Sequence, residues 1–299
     1  MIKFDCPNSY EGMQQCFRQG ETLADILTDH FAHETGTKNI VVMEMEKANW
    51  PFLIFKEKKR YISRYFEDPN KPGRIDAKGV QLVRRDGAPI QRDLYRQVVE
   101  WIFPLAGPVK SAPDIEAGIL KIVASFLDDI VQDRLGIDSY TIAKTLRNDY
   151  KNGGHNIPHV ALYHSVLGRI ANGELTMDPP KSGDRLQYVV VKSKRKNAKI
   201  FERVECPHLT RTTDLDKVYY IQNQLLNAIG QLTEFFSPRV RTLFQQAIAE
   251  EKRKQEGNQR ITAFFGAGGV PGMTTEKKCG PIAPPQKKKK QKNIQSFFH

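Results

Sequence analysis

The sequence lacks the cysteine spacing of zinc ribbons and of domains built on disulfides. Its four cysteines, Cys6, Cys16, Cys206 and Cys279, are scattered, and no pair has the CxxC spacing. This usage is typical of proteins in a reducing compartment. No apolar run is long enough to cross a bilayer, and the chain becomes polar directly after Met1. Neither a membrane span nor a signal peptide is therefore predicted.

The motifs of several common enzyme classes are also absent. The sequence contains no glycine-rich P-loop and no GxSxG nucleophile motif, and none of its cysteines has a clear catalytic partner. His155 and His159 have the i, i+4 spacing of a helical metal pair, but Pro158 interrupts the helix that would present both side chains. We therefore expect no metal site in this segment.

The net charge of +12 is concentrated in two parts of the chain. From Glu251 onward there are eleven Lys/Arg and three Glu, which gives +8 and leaves +4 for residues 1–250. Within that body, residues 56–96 carry twelve Lys/Arg and six acidic residues, or +6. Such focusing predicts a defined surface for a polyanion rather than uniform attraction.

The pattern of apolar residues predicts an α+β fold. Strands are predicted over 39–66, where β-branched and aromatic residues dominate, and 68–73 is a turn before a further extended stretch, 78–83. The rest of the body has helical spacing, with one β-hairpin around the basic loop 192–199. The predicted helices are 93–103, 114–136, 140–150, 159–171, 214–229 and 238–254. Residues 255–299 are rich in Gly, Pro, Lys and Gln, which predicts a disordered basic tail.

Two stretches of the basic segment have the composition of a nucleic-acid surface. KEKKRYISRYF (56–66) interleaves cations with aromatic residues on a predicted strand, which suits either a sugar–phosphate track or a solvated sheet face. AKGVQLVRRD (77–86) contains a Lys-Gly pair and an Arg-Arg pair, and Gly79 would allow close approach of the backbone to a phosphate. The alternative for the second stretch is an exposed loop held by salt bridges.

These stretches resemble the family B DNA polymerases, especially the delta type. MEKANWPFLIFKEKKRY (45–61) and KGVQLVRRD (78–86) are similar to the blocks just downstream of the polymerase active site. Four further blocks are similar to successive parts of the thumb: IAKTLRNDY, PHVALYHSVLGR, GDRLQYVVV and YYIQNQLLNAI. The resemblance covers nearly all of 1–236. It implies a right-hand fold in which residues 1–85 form the end of the palm, with antiparallel strands, and 86–254 form a mainly helical thumb.

The resemblance also implies two groups of DNA-binding residues. The first lies along the minor groove and holds the newly paired primer end: Lys58, Lys59, Arg60 and Tyr61. The second contacts the duplex backbone where the thumb begins: Lys78, Arg84 and Arg85. Position 81 is Gln where the family usually has Glu, so no role is carried over to Gln81.

Few of the carboxylates in this sequence are candidates for catalysis. Glu44 and Glu46 are two apart on a predicted strand, and the resemblance makes Glu46 a candidate auxiliary carboxylate beside the catalytic metals. The alternative is a pair of exposed or salt-bridged acids. The family's two Mg²⁺-binding aspartates belong to DxxSLYP-like and YxDTDS-like motifs, and neither occurs here. Asp214 and Asp216 imitate a DxD motif but fit a helix N-cap better, and Asp128-Asp129 falls on the polar side of a predicted helix.

We therefore expect this chain to be inactive alone and to bind no metal by itself. The resemblance implies Mg²⁺ for the complete polymerase, with the aspartates supplied by an N-terminal polymerase part. The chain would then be either a fragment or the second piece of a split gene.

The C-terminal tail contains two short boxes of one pattern. QKNIQSFF resembles the clamp-binding box of proteins that bind PCNA-type sliding clamps, through Gln291, Ile294, Phe297 and Phe298. NQRITAFF repeats it with Asn258, Ile261, Phe264 and Phe265. A single helical turn would place the apolar positions on one side. The alternatives are chance matches and a nuclear import signal in the lysine run 287–290.

These observations predict part of a replicative family B polymerase. It would grip primer–template DNA, bind a sliding clamp, and act in the nucleus or at a viral replication site. The alternative is a non-catalytic DNA-binding clamp adaptor derived from a polymerase.

Overall fold

The computed structural model describes residues 2–38, 40–104, 110–193, 195 and 197–266, without the side chains of 151, 152 and 258–266. The chain forms two compact units. The first contains Met1–Arg85, Gln91–Phe126 and Ala228–Val240, and the second contains Asp86–Ile90, Leu127–Asn227 and the chain from Arg241. The first unit therefore includes 91–126 and 228–240 beside 1–85, and the division into a palm part at 1–85 and a thumb at 86–254 stays a prediction. In the described residues no helix is long and apolar enough to cross a membrane.

The first unit begins with a long helix, α1 (Tyr10–Thr35). Ser9 caps it by accepting a hydrogen bond from the backbone N–H of Gly12, and Gly36 ends it with φ of 64°. Its buried face packs on a three-stranded antiparallel sheet of order β1-β2-β3, formed by β1 (Ala48–Ile54), β2 (Tyr61–Phe66) and β3 (Arg74–Lys78). The contact between helix and sheet is a cluster of apolar side chains: Met13, Phe17, Ala48 and Phe66, with Met45 and Trp50 at its edge.

Two more helices follow the sheet, α2 (Pro89–Ile102) and α3 (Ala112–Val131). The indole N–H of Trp101 donates to the carbonyl of Ile115 at 3.2 Å. Its ring covers Gly118, where an added Cβ would lie 1.9 Å from the ring. A glycine in the middle of α3 is therefore required by the close packing of Trp101.

The second unit contains a small antiparallel sheet and several helices. The sheet has the order β4-β5-β6, from β4 (Ile142–Thr145), β5 (Arg185–Val190) and β6 (Val204–Glu205). The helical segments of this unit are α4 (Pro158–Ala171), α5 (Lys217–Tyr219), a π-helical segment (Tyr220–Leu226) and most of α7 (Arg239–Gly266). Helix α6 (Asn227–Thr233) belongs to the first unit except for Asn227.

The mixed helical and antiparallel-strand class agrees with the prediction, but several elements differ. Residues 40–47 form no strand. This segment contacts α1 instead, because the backbone N–H of Met43 donates to the hydroxyl of Thr28 in that helix. The helix predicted over 140–150 is wrong, because Ile142–Thr145 pairs with β5 as a strand. The extended stretch predicted over 78–83 is mostly turn. Helix α7 continues past the predicted end at Lys254 to Gly266, so the first part of the predicted disordered tail is helical.

Candidate nucleic-acid interface

The first group of predicted DNA-binding residues lies in a hairpin turn between β1 and β2. The backbone N–H of Phe55 donates to the carbonyl of Arg60 at 3.1 Å and closes the turn. Phe55 is buried, with its ring edge against Phe235, and this anchors the base of the turn. Lys58 and Lys59 are exposed at its tip. The lysines were predicted to lie on a strand, and the turn forms instead because their charged side chains keep full access to water there.

The second predicted group begins directly beside this turn. In the antiparallel register Tyr61 of β2 is opposite Lys78 of β3. Gly79 follows with φ of +65°, and an added Cβ at Gly79 would lie 2.7 Å from the carbonyl oxygen of Lys59. The sheet therefore brings Lys58–Tyr61 and Lys78 together at one of its ends. We call these five residues the basic turn.

Arg84 and Arg85 follow Lys78 in two successive turns. The backbone N–H groups of Val83 and Arg84 donate to the carbonyls of Val80 and Gln81, both at 3.3 Å. Val80 is buried and holds this segment to the first unit, whereas both arginines are exposed. Every member of the two predicted groups lies in the first unit, and their cationic groups reach solvent.

Tyr61 is held by a network that sequence reasoning missed. Its hydroxyl donates to Oδ2 of Asp76 at 3.0 Å, and the ammonium of Lys47 lies 3.4 Å from the same oxygen and 5.1 Å from the centre of the Tyr65 ring. Burial and the hydrogen bond to Asp76 raise the pKa of Tyr61. Burial opposes the charge of Lys47, but the carboxylate of Asp76 outweighs it and raises the pKa of the amine. The signal available in the sequence was the two-residue period of a strand, which places the side chains of Asp76 and Lys78 on the same face of the sheet.

Glu46, the predicted auxiliary carboxylate, is highly exposed. Its side chain is 86% exposed and lies 4.0 Å from the ammonium of Lys47. Because β1 begins only at Ala48, Glu44 and Glu46 do not share the face of a strand as predicted. Within the described ranges, no group of three or more His, Cys, Asp or Glu residues could hold a metal ion. The described acids thus do not fit a two-metal centre, and no metal-dependent step is assigned to them.

The remaining acids that resemble metal-binding motifs have structural partners. Asp216 caps α5 by accepting from the backbone N–H of Tyr219 at 3.1 Å and pairs with Arg203, which confirms the N-cap prediction for Asp216. Asp214 instead ends a 3-10 helix, Thr212–Asp214. Asp128 and Asp129 both accept from Arg134, at 2.8 and 2.7 Å.

In the described chain, the two histidines of the HNIPH segment belong to no group of side chains that could hold a metal ion. Nε2 of His159 is 3.0 Å from the hydroxyl of Tyr150, whereas His155 stacks on His164. Helix α4 begins at Pro158, which occupies the first helical position, where its missing N–H is tolerated. As predicted, no single helix presents both histidines, because α4 contains His159 but not His155.

The two tail boxes can be placed only in part. The backbone of Asn258, Ile261, Phe264 and Phe265 lies in α7, while 291–298 is outside the described residues. Clamp binding by either box therefore stays a prediction.

Comparison with known proteins agrees with the resemblance seen in the sequence. The model of DNA polymerase family B matches residues 2–235. The DNA polymerase of Paramecium bursaria Chlorella virus NY2A is 28% identical over an alignment of 290 residues that covers 89% of this chain and 29% of that protein. The DNA polymerase delta catalytic subunit of Candida albicans is 27% identical over 238 residues, 78% of this chain and 20% of that subunit. The chain thus spans less than a third of the length of these relatives.

A solved structure supports the fold. The family B DNA polymerase from the hyperthermophilic archaeon Pyrobaculum calidifontis superposes with a TM-score of 0.51 at 23% identity, covering 71% of this chain and 24% of the archaeal one. Since the family model extends from residue 2 to residue 235, well over half of the chain, this protein belongs to DNA polymerase family B.

Proposed function

We propose that this chain is the C-terminal palm and thumb part of a replicative family B DNA polymerase that grips primer–template DNA. The observation that carries the proposal is the convergence of Lys58–Tyr61 and Lys78 at one end of the β1-β2-β3 sheet. Exposed cations in a turn closed by a backbone hydrogen bond can neutralise phosphates, and the half-buried Tyr61 ring next to them can lie along the minor groove.

The catalytic aspartates come from outside these 299 residues in this proposal. The complete enzyme would bind Mg²⁺ through them, and Glu46 would approach that centre as an auxiliary carboxylate. Its exposed side chain leaves it free to do so. The chain alone would bind duplex without polymerising, in the nucleus or at a viral replication site.

Salt-dependent binding tests the grip directly. The chain is titrated into a fluorescent primer–template duplex between about 50 and 200 mM salt, a range in which phosphate contacts change affinity strongly. Lys58→Gln with Lys59→Asn should weaken binding and reduce the slope of log K against log salt by about 1 for each phosphate that is no longer neutralised. Lys71→Ala with Lys121→Ala is the matched control, since these exposed lysines lie outside the basic turn. An unchanged slope in the first double variant would remove the turn from the interface.

A non-catalytic clamp adaptor derived from a polymerase is the second candidate. It is favoured by the lack of both aspartate motifs in the sequence. Reconstitution separates the two: a partner polypeptide carrying the upstream palm motifs should restore template-directed synthesis when mixed with this chain. Persistent inactivity of a folded, bound complex would favour the adaptor.

In either case we propose that the boxes at 258–265 and 291–298 tether the chain to a PCNA-type clamp. The support is the sequence pattern, with lysines at 287–290 that would assist encounter with an acidic surface.

A further inference from the structure

Tyr61 is half-buried on one face of the three-stranded sheet, which it shares with half-buried Tyr65 and with fully buried Ser63. Its strand neighbours Ile62 and Phe66 are buried in the core, whereas Tyr61 and Tyr65 are half-buried. The register places Asp76 diagonally beside Tyr61 on the adjacent strand, because Asp76 is opposite Ser63. The hydroxyl of Tyr61 is thus fixed at the sheet surface beside Lys58, Lys59 and Arg60.

The direction of its hydrogen bond is determined by chemistry. A phenol has one proton, and Tyr61 donates it to Oδ2 of Asp76 at 3.0 Å. The ammonium of Lys47, 3.4 Å from the same oxygen, stabilises the ionised carboxylate, which has no proton to return. The oxygen of Tyr61 can therefore accept a hydrogen bond from a ligand but has no proton left to donate.

We propose that Asp76 and Lys47 are positioning residues that fix Tyr61 as an acceptor, and that Tyr61 accepts from the 2-amino group of guanine in the minor groove. This inference rests on the proposed function, in which Tyr61 lies along that groove. Phosphate and deoxyribose oxygens are acceptors and cannot pair with Tyr61. The guanine amine is the base donor that the minor groove presents.

This assignment gives the residues of the basic turn two different roles in binding DNA. Lys58, Lys59 and Arg60 are donors and suit phosphates and the minor-groove acceptors that every base pair presents. Tyr61 adds the complementary group, which recognises an amine. The turn as a whole therefore favours G·C-containing duplex through Tyr61 and binds any sequence through its cations.

Modified duplexes test the contact without altering the protein. The full 299-residue chain is titrated into three primer–template duplexes: unmodified, with every guanine replaced by inosine, and with every adenine replaced by 2,6-diaminopurine. Inosine removes the minor-groove amine and diaminopurine adds one. We expect binding to the inosine duplex to be weaker by about threefold to tenfold, the range of one net hydrogen bond, and binding to the diaminopurine duplex to be tighter. The salt slope should be the same for all three duplexes.

Variants test the positioning role. Tyr61→Phe and Asp76→Ala should both abolish the discrimination among the three duplexes. Tyr61→Phe removes the hydroxyl alone, so it remains informative if Asp76→Ala fails to fold. Asp68→Ala removes a carboxylate that pairs with Lys71 in the β2–β3 turn, at the opposite end of the sheet, and should keep the discrimination.

The outcomes separate this inference from the proposed function. Salt-sensitive duplex binding with no difference between guanine and inosine would overturn the acceptor role and leave the proposed function intact. Discrimination that survives folded Asp76→Ala but not Tyr61→Phe would overturn the positioning role of Asp76. Absence of duplex binding would overturn both the inference and the proposed function.

Discussion

Gly79 and Lys59 are packed so closely that only a glycine fits between the basic turn and β3. Gly79 has φ of +65°, and an added Cβ would lie 2.7 Å from the carbonyl oxygen of Lys59 and 3.1 Å from Cγ of Arg60. The conformation of the turn is thus coupled to the pair Lys78-Gly79 at the end of β3.

Gly79→Ala should therefore damage both stability and DNA binding. The left-handed backbone and the backbone clash together should cost about 1–3 kcal/mol of unfolding free energy, measured in urea. Gly36→Ala is the matched control, because Gly36 has φ of 64° with nothing within 4 Å of an added Cβ. It should lower stability by the conformational cost alone and leave duplex affinity unchanged. Equal losses of affinity in the two variants would contradict the proposed packing role.

Lys59 itself allows stability and binding to be separated. It has φ of 63°, which a side chain with a Cβ adopts at a cost and glycine does not. Lys59→Gly should keep or raise the unfolding free energy by about 0.5–1 kcal/mol while weakening duplex binding and lowering its salt slope. Lys58→Gly, which removes the same charge from the same turn, should weaken binding without the gain in stability. A stabilised Lys59→Gly variant with undiminished affinity would exclude this lysine from the interface.

The structure differs from the sequence prediction in the local structure of the predicted binding residues. The aromatic and β-branched residues of 61–66 predicted β2, and the turn at 68–73 is present, with the backbone N–H of Asn70 donating to Asp68. The basic turn was predicted as strand because charge carries no period of two. Helix α1 was not predicted, although Met13, Phe17 and Ala24 have helical spacing, because the many polar residues between them dilute the pattern.

Other differences have tertiary causes. Ile142–Thr145 is a strand because β5 is available as a partner, which local sequence cannot show. Asp76 and Lys47 gain significance only when the register places them around Tyr61. The strand period places Asp76 on the face of Lys78, but only the register with β2 brings it to Tyr61.

Stability should depend on pH through His159. Burial, Lys144 and Arg147 lower the pKa of His159, so the unfolded state binds this proton more readily than the folded state. The folded chain therefore loses stability as the pH falls below about 6.5, the ordinary value, until it passes the lowered pKa of the folded state. His159→Gln, which cannot titrate but can still contact Tyr150, should flatten the fall in unfolding free energy between about pH 7.5 and 5.5. An identical pH dependence in the variant and the parent chain would show that His159 is not the group involved.

The two tail boxes should contribute unequally to clamp affinity. Phe297→Ala with Phe298→Ala should weaken binding to a PCNA-type clamp by at least about tenfold, because two aromatic side chains are no longer buried. Phe264→Ala with Phe265→Ala should reduce the affinity by a smaller factor, since the terminal box still holds the clamp. Calorimetric titration of the clamp with the full chain measures both, and Ile282→Ala, an apolar change in the tail outside both boxes, is the control. Unchanged affinity in the second double variant would exclude a second tether.

The second unit should depend on a buried ion pair at the end of α3. Lys217 is only 4% exposed, and its ammonium donates to Oδ2 of Asp133 at 2.8 Å and to the carbonyl of Val131 at 3.3 Å. Lys217→Met fills the space but leaves the carboxylate and the last carbonyl of α3 without this donor. We expect a loss of about 2–3 kcal/mol in unfolding free energy, below the full value for a buried pair because the Asp133 side chain is 37% exposed.

Adding Asp133→Asn to Lys217→Met should recover part of that loss, because the uncompensated charge is removed. The measurement is a double-mutant cycle from urea unfolding of the four chains. Lys254 also donates to the carbonyl of Val131, at 3.4 Å, and keeps that group satisfied throughout the cycle. Strictly additive losses would mean that Lys217 acts through packing alone and that the pair contributes no coupling to the second unit.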